Sequence, residues 1–271
     1  MANNMLKRTI VAAVLIAVLI LILIFGGWVQ CALFSLAAVL SVFELSRAYR
    51  SINHKVFAIP AYLVAASFFL IYKLDGIETL FILWLMAVLA VAAERVLNKN
   101  RATEDALIGF SLLVYPVALY GVLMLLAETG SHAHSRVALL CAFAMPLMGD
   151  TFAYFLGRLF GKRKLCPEIS PNKTVAGAFG GLLGGLLGGA LVYVLQCFYP
   201  AGLPLMPLMA LGFLCGGAGQ LGDLFASAIK RYAGVKDYGA IFPGHGGMTD
   251  RLDSVLFCAP IIYAVFTLWP K

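Results

Sequence analysis

Charge is scarce in this chain. Only 12% of its 271 residues are Asp, Glu, Lys or Arg, whereas 62% are hydrophobic and the mean hydropathy is +0.93. A water-soluble domain is roughly a quarter charged, so this shortage excludes a globule in water. Cysteines are few, and Cys31, Cys141, Cys166, Cys197, Cys215 and Cys258 show no CxxC spacing. Most fall in apolar segments and read as small buried hydrophobes, which argues against a disulfide frame or a zinc site. His132 and His134 have no acidic or cysteine partner close by and read as solvated loop residues.

Long apolar runs take the place of charge. A spanning helix needs ~20 mostly apolar residues, and nine stretches qualify, at about 8–27, 29–46, 56–72, 79–93, 106–127, 137–157, 177–199, 204–229 and 252–269. Lys7 and Arg8 precede the first. That run is too long for an ordinary signal core and no clean small-residue cleavage site follows, so it reads as a retained membrane helix. With nine spans, seventeen of the twenty Lys and Arg residues lie on the side of the amino terminus, leaving Lys73, Arg136 and Lys271 on the other. Positive residues collect in cytoplasmic loops. The expectation is an all-α polytopic membrane protein with a cytoplasmic amino terminus. The same asymmetry accounts for the net charge of +7 without nucleic acid.

Ionisable residues are unevenly spread over the spans. Residues 1–136 read as membrane scaffold, in which Glu44 stands near a helix end and within reach of the interface. Residues 137–271 read as the catalytic membrane region with its cytoplasmic loops, within one membrane domain overall. There Asp150 and Asp223 fall inside expected spans, and a charge so placed marks a polar cavity or an ion path. Gly177, Gly181, Gly185 and Gly189, flanked by Gly180, Gly184 and Gly188, suggest close helix packing rather than a phosphate loop. Gly212 and Gly216 are expected to do likewise.

Two polar stretches carry the chemistry. From Gly222 the chain reads GDLFASAIKRYAGVKDYGAIFPGHGGMTDRLDS, with Asp223, Ser227 and Lys230 at i, i+4 and i+7 on one helix face. Arg231, Lys236 and Asp237 follow, then a turn containing Gly244, His245, Gly246 and Gly247 whose backbone N–H groups suit an anion. Asp250, Arg251 and Asp253 open the next helix. Upstream, MGDTFAYFLGRLFGKRKLCPEISPNKT offers Asp150, Ser170 and Lys173 beside a basic loop. Carboxylates for a hard cation and cations for phosphate oxygens thus occur together, and Mg²⁺ favours a few carboxylates plus substrate phosphates. Helix capping by Asp250, and pairing of Asp223 with Lys230 or Arg231, are the structural alternatives.

Ser227-Ala-Ile-Lys230-Arg231, Lys236-Asp237, Pro243-Gly-His-Gly-Gly247 and Asp250-Arg251-Leu252-Asp253 together resemble the signature of the phosphatidate cytidylyltransferases, or CDP-diglyceride synthetases. The resemblance covers residues 137–256 by motif and the remainder by hydropathy. It departs from the family pattern at Val175-Ala176, where relatives often have Trp followed by Glu or Gln, and at Ala226, where many carry an acid. It implies CTP and phosphatidate as substrates, Mg²⁺ with a second cation as a further candidate, a homodimer, and a plasma (inner) membrane location with the site facing the cytoplasm. It also implies metal ligation by Asp223 and Asp250, with Asp253 and Asp150 as further ligand candidates. Lys230 and Arg231 join the two aspartates in catalysis. Ser170, Lys173, Ser227, Lys236, Asp237, Gly244, His245, Gly246, Gly247 and Arg251 would bind substrate. Two rival readings are an enzyme using CTP on another membrane lipid, such as a polyprenol kinase, and an ion-coupled transporter. Transporters commonly show inverted repeats, and here the polar features sit in the second half alone.

Overall fold

The computed structural model describes residues 2–74, 76–199, 201–242 and 246–268. Helices dominate: α1 (Ala2–Phe25), α2 (Gly27–Arg50), α3 (Ile59–Leu74), α4 (Ile77–Leu97), α5 (Thr103–Leu112), α6 (Leu119–Leu125), α7 (His132–Phe160), α8 (Val175–Leu195), α9 (Leu205–Tyr232) and α10 (Thr249–Leu268). Among the described residues seven helices are long and apolar enough to cross a membrane, counting Thr103–Leu125 as one. Ile16–Phe25 and Ile59–Phe68 are shorter apolar helical stretches. An all-α polytopic membrane protein is the result. Its helices leave large side chains such as Phe81, Ile82, Met86 and Leu89 of α4 exposed, and α4 buries only Ala87 and Val91. A helix apolar on nearly every side is stable only where acyl chains or protein cover it.

The chain forms two compact units, Met1–Met124 with Tyr232–Arg251, and Leu125–Arg231 with Leu252–Lys271. In the first unit the run from Thr103 to Leu125 is broken between α5 and α6. Tyr115 leaves helical dihedrals (φ −123°, ψ 110°) ahead of Pro116, as expected for a residue preceding proline. Trp84 Nε1 donates to the Leu113 carbonyl at this break, at 3.0 Å. Deeper in the unit the hydroxyls of Ser41 and Tyr120 bond each other at 2.9 Å. That bond satisfies two buried hydroxyls for which lipid would offer no partner.

In the second unit, glycines set the helix spacing. A Cβ at Gly180 would lie 2.7 Å from the Phe152 carbonyl oxygen, and one at Gly188 would lie 2.9 Å from the Met145 Cα, both on α7. Alternating positions face α9, where a Cβ at Gly185 would collide with the Gly212 carbonyl and one at Gly189 with the Leu208 carbonyl. The glycine run is a two-sided packing surface, as its spacing suggested. One departure from the expected loops is a hairpin between α7 and α8. It pairs β1 (Lys164–Cys166) with β2 (Ser170–Thr174) antiparallel, Lys164 opposite Thr174 and Cys166 opposite Ser170.

Candidate active site

The second unit gathers most of the charged residues singled out in the sequence. Asp223, Ser227 and Lys230 ride on α9 without interruption. Ser227 and Lys230 are buried and Asp223 half-buried, in keeping with one shared face. β2 delivers Lys173 to this face, its Nζ 2.6 Å from Asp223 Oδ2 and 3.5 Å from the Gln220 carbonyl. The strand is held at its end by Thr174, whose Oγ1 accepts from the Gly177 N–H at 3.1 Å and caps α8. Gly157 and Gly177 leave room for that hydroxyl, since a Cβ on either would sit 3.0 or 3.2 Å from it. Arg231 Nε donates to the Ile169 carbonyl at 3.2 Å, so the end of α9 is tied to the hairpin turn next to half-buried Ser170.

Asp253 completes the cluster from α10. It is buried, accepts the Ser254 N–H at 2.7 Å, and lies within electrostatic reach of Asp223, Lys230 and Asp150. Asp150 is exposed on α7. A carboxylate at such a depth in an apolar helix is stable only beside water or protein polar groups. Three carboxylates and two ammonium groups therefore share one region, and carboxylates so crowded need cations nearby to stay ionised together.

The remaining candidates belong to the first unit. Asp250 Oδ2 accepts from the backbone N–H groups of Tyr238 and Gly247, each at 2.9 Å. Gly246 adopts φ 84°, a region that favours glycine, and its backbone bridges to Phe242. Lys236, Asp237 and Arg251 are exposed. Gly244 and His245 lie outside the described residues.

Sequence reasoning missed Glu44 and Arg47. Glu44 was expected to reach the interface; instead it is 1% exposed. Its Oε1 accepts the Met248 N–H at 2.8 Å and its Oε2 the Thr249 N–H at 2.9 Å. One turn on, Arg47 Nη2 donates to the Tyr238 carbonyl at 2.7 Å. The one available signal was a carboxylate in an otherwise apolar helix, and its partners stand about two hundred residues away.

Among the described residues no three His, Cys, Asp or Glu side chains form a metal-binding group. The donor chemistry still fits a hard cation, because Mg²⁺ commonly takes one or two carboxylates and completes its shell with substrate phosphates and water. A family model described as the cytidylyltransferase family matches residues 6–269. The chain belongs to the cytidylyltransferase family. A phosphatidate cytidylyltransferase of Staphylococcus epidermidis is 35% identical over 262 residues, covering 94% of this chain and 96% of that protein. The Bacillus subtilis phosphatidate cytidylyltransferase is 33% identical over 274 residues, with 97% and 98% covered. That of Staphylococcus aureus strain COL is 34% identical over 263 residues, with 94% and 96% covered. For a cytidylyltransferase, a region with ammonium groups for phosphate oxygens and carboxylates for cations is chemically apt.

Proposed function

We propose that this chain transfers CMP from CTP to phosphatidate, giving CDP-diacylglycerol and pyrophosphate for phospholipid synthesis. The supporting observation is the ion pair of Lys173 with Asp223, beside Lys230, Asp253 and Asp150, in a chain related over its length to phosphatidate cytidylyltransferases. In the reaction a phosphate oxygen of phosphatidate forms a bond to the α-phosphorus of CTP. The bond from that phosphorus to the bridging oxygen breaks, and pyrophosphate leaves with the electron pair. A phosphate monoester is already anionic at neutral pH, so no general base is required. Lys173, Lys230, Arg231 and Arg251 draw in and orient the phosphates, with Ser170, Ser227, Lys236, Asp237 and the Gly244–Gly247 turn contributing substrate contacts.

Asp223 and Asp250 would hold Mg²⁺, with Asp253 and Asp150 as further ligands and a second cation as a further candidate. When bound, the ion neutralises charge on phosphate oxygens. The proposed setting is the inner membrane, with nine spans, a cytoplasmic amino terminus, a cytoplasm-facing site and a homodimer.

The test is an assay of the purified protein with labelled CTP, Mg²⁺ and phosphatidate. Labelled CDP-diacylglycerol with equimolar pyrophosphate is expected. Asp223→Asn and Asp250→Asn keep size but lose charge, and each should lower turnover by ~10²-fold or more, the scale of losing a major electrostatic stabiliser. Conversion of diacylglycerol to phosphatidate with CTP would replace this reading by a lipid kinase.

A further inference from the structure

The geometry points to Glu44 and Arg47 as positioning residues that hold Tyr238 and the Gly247–Asp250 segment in place around Asp250, an inference that rests on the proposed cytidylyltransfer. Both lie on α2, three residues apart and hence on one face. Glu44 takes two backbone N–H groups at the start of α10, where the unsatisfied donors and the helix dipole favour a carboxylate. Burying a carboxylate is costly unless charge-assisted hydrogen bonds replace its water, so these contacts hold the loop and the acid together. Arg47 grips the other end through the carbonyl of Tyr238, itself 1% exposed. The same residue's N–H bonds Asp250, so Tyr238 links Arg47 directly to the aspartate. Two glycines make the approach feasible. A Cβ at Gly239 would lie 2.6 Å from Glu44 Oε1, and one at Gly247 would collide with the carboxylate. The loop's glycines therefore serve the clamp as well as any anion. Each acts through the backbone around Asp250.

Glu44→Gln keeps the side chain's size but sets an NH₂ against one backbone donor. Arg47→Gln removes the charged donor, whereas Arg47→Lys retains one. Hydrogen–deuterium exchange on detergent-purified full-length protein should show faster exchange in peptides covering 238–249 for Glu44→Gln and Arg47→Gln. Arg47→Lys should stay near the parent. Turnover in the two Gln variants should fall ~10–10²-fold, as for small misplacements of reacting groups, with the KM for phosphatidate nearly unchanged and Arg47→Lys largely rescued. Parent-like exchange and turnover in Glu44→Gln and Arg47→Gln would overturn the clamp, as would lost turnover with unchanged exchange. If Glu44→Gln fails to fold, the Arg47 pair decides. A parent protein inactive on CTP and phosphatidate would sink the proposed reaction, while the exchange result would still test the clamp.

Discussion

Lys173 and Asp223 show how one charge pair can be read in two ways until geometry intervenes. From residue types alone, Lys173 suited a phosphate and Asp223 a cation. In the fold, Lys173 Nζ stands 2.6 Å from Asp223 Oδ2, so an ammonium group already pairs with one carboxylate oxygen. A divalent cation held by Asp223, as proposed, would compete with that ammonium group. Both side chains are part exposed, which limits the pair to about 1 kcal/mol or less. Lys173→Met should accordingly tighten Mn²⁺ binding by about 2–5-fold in the absence of CTP, measured by electron paramagnetic resonance. Turnover should nevertheless fall if, as proposed, Lys173 also neutralises substrate phosphates. Weaker Mn²⁺ binding in Lys173→Met would show that the lysine supports the ion rather than competing with it. Asp250 was legible as a helix-cap candidate and as a ligand candidate. Its bonds to Tyr238 and Gly247 show the turn-holding role.

Among the elements, α8 was the most readable. Its glycines recur every four residues, and on a helix that spacing makes a stripe whatever the surroundings. Gly180, Gly184 and Gly188 face α7, while Gly181, Gly185 and Gly189 face α9. Gly185→Ala would drive a methyl into the Gly212 carbonyl, whereas a methyl at Gly217 would meet nothing nearer than Leu182 Cδ2 at 3.4 Å. Overpacking costs typically ~1–3 kcal/mol. Gly185→Ala should therefore lower the detergent-solubilised Tm by about 2–10 °C, and Gly217→Ala should leave it within about 2 °C. Equal shifts would remove the packing argument. The hairpin of β1 and β2 was not legible. Three- and five-residue strands carry too little alternation to stand out from a basic loop.

At the scale of the whole molecule, the lopsided distribution of Lys and Arg is the strongest topological argument. Seventeen of twenty would lie on one side of the proposed nine-span arrangement, and positive loops stay in the cytoplasm. Single cysteines replacing Lys164 and Tyr238 in a cysteine-free background should react with a membrane-impermeant thiol reagent only from the cytoplasmic side. For buried Tyr238, labelling is read after brief denaturant exposure in sealed vesicles. A cysteine at His132 should react only from the opposite side. Reaction of all three from one face would rule out nine spans with a cytoplasmic amino terminus.

Composition alone determined that the solvent is a bilayer, because apolar runs of this length with so few charges have no soluble solution. The order of side chains along α9 likewise determined that Asp223, Ser227 and Lys230 share a face, since helical period is a local property. Which residue answers which charge was decided by the tertiary structure. Lys173 reaches Asp223 across fifty residues because a hairpin and a capped helix aim it there. Glu44 became the partner of Met248 and Thr249 because α2 lies against the loop within the first unit. Hydrogen bonds are short-ranged and directional, so a carboxylate's role depends on the donors that folding brings within about 3 Å of it. No pattern in the sequence around Glu44 records where those donors come from.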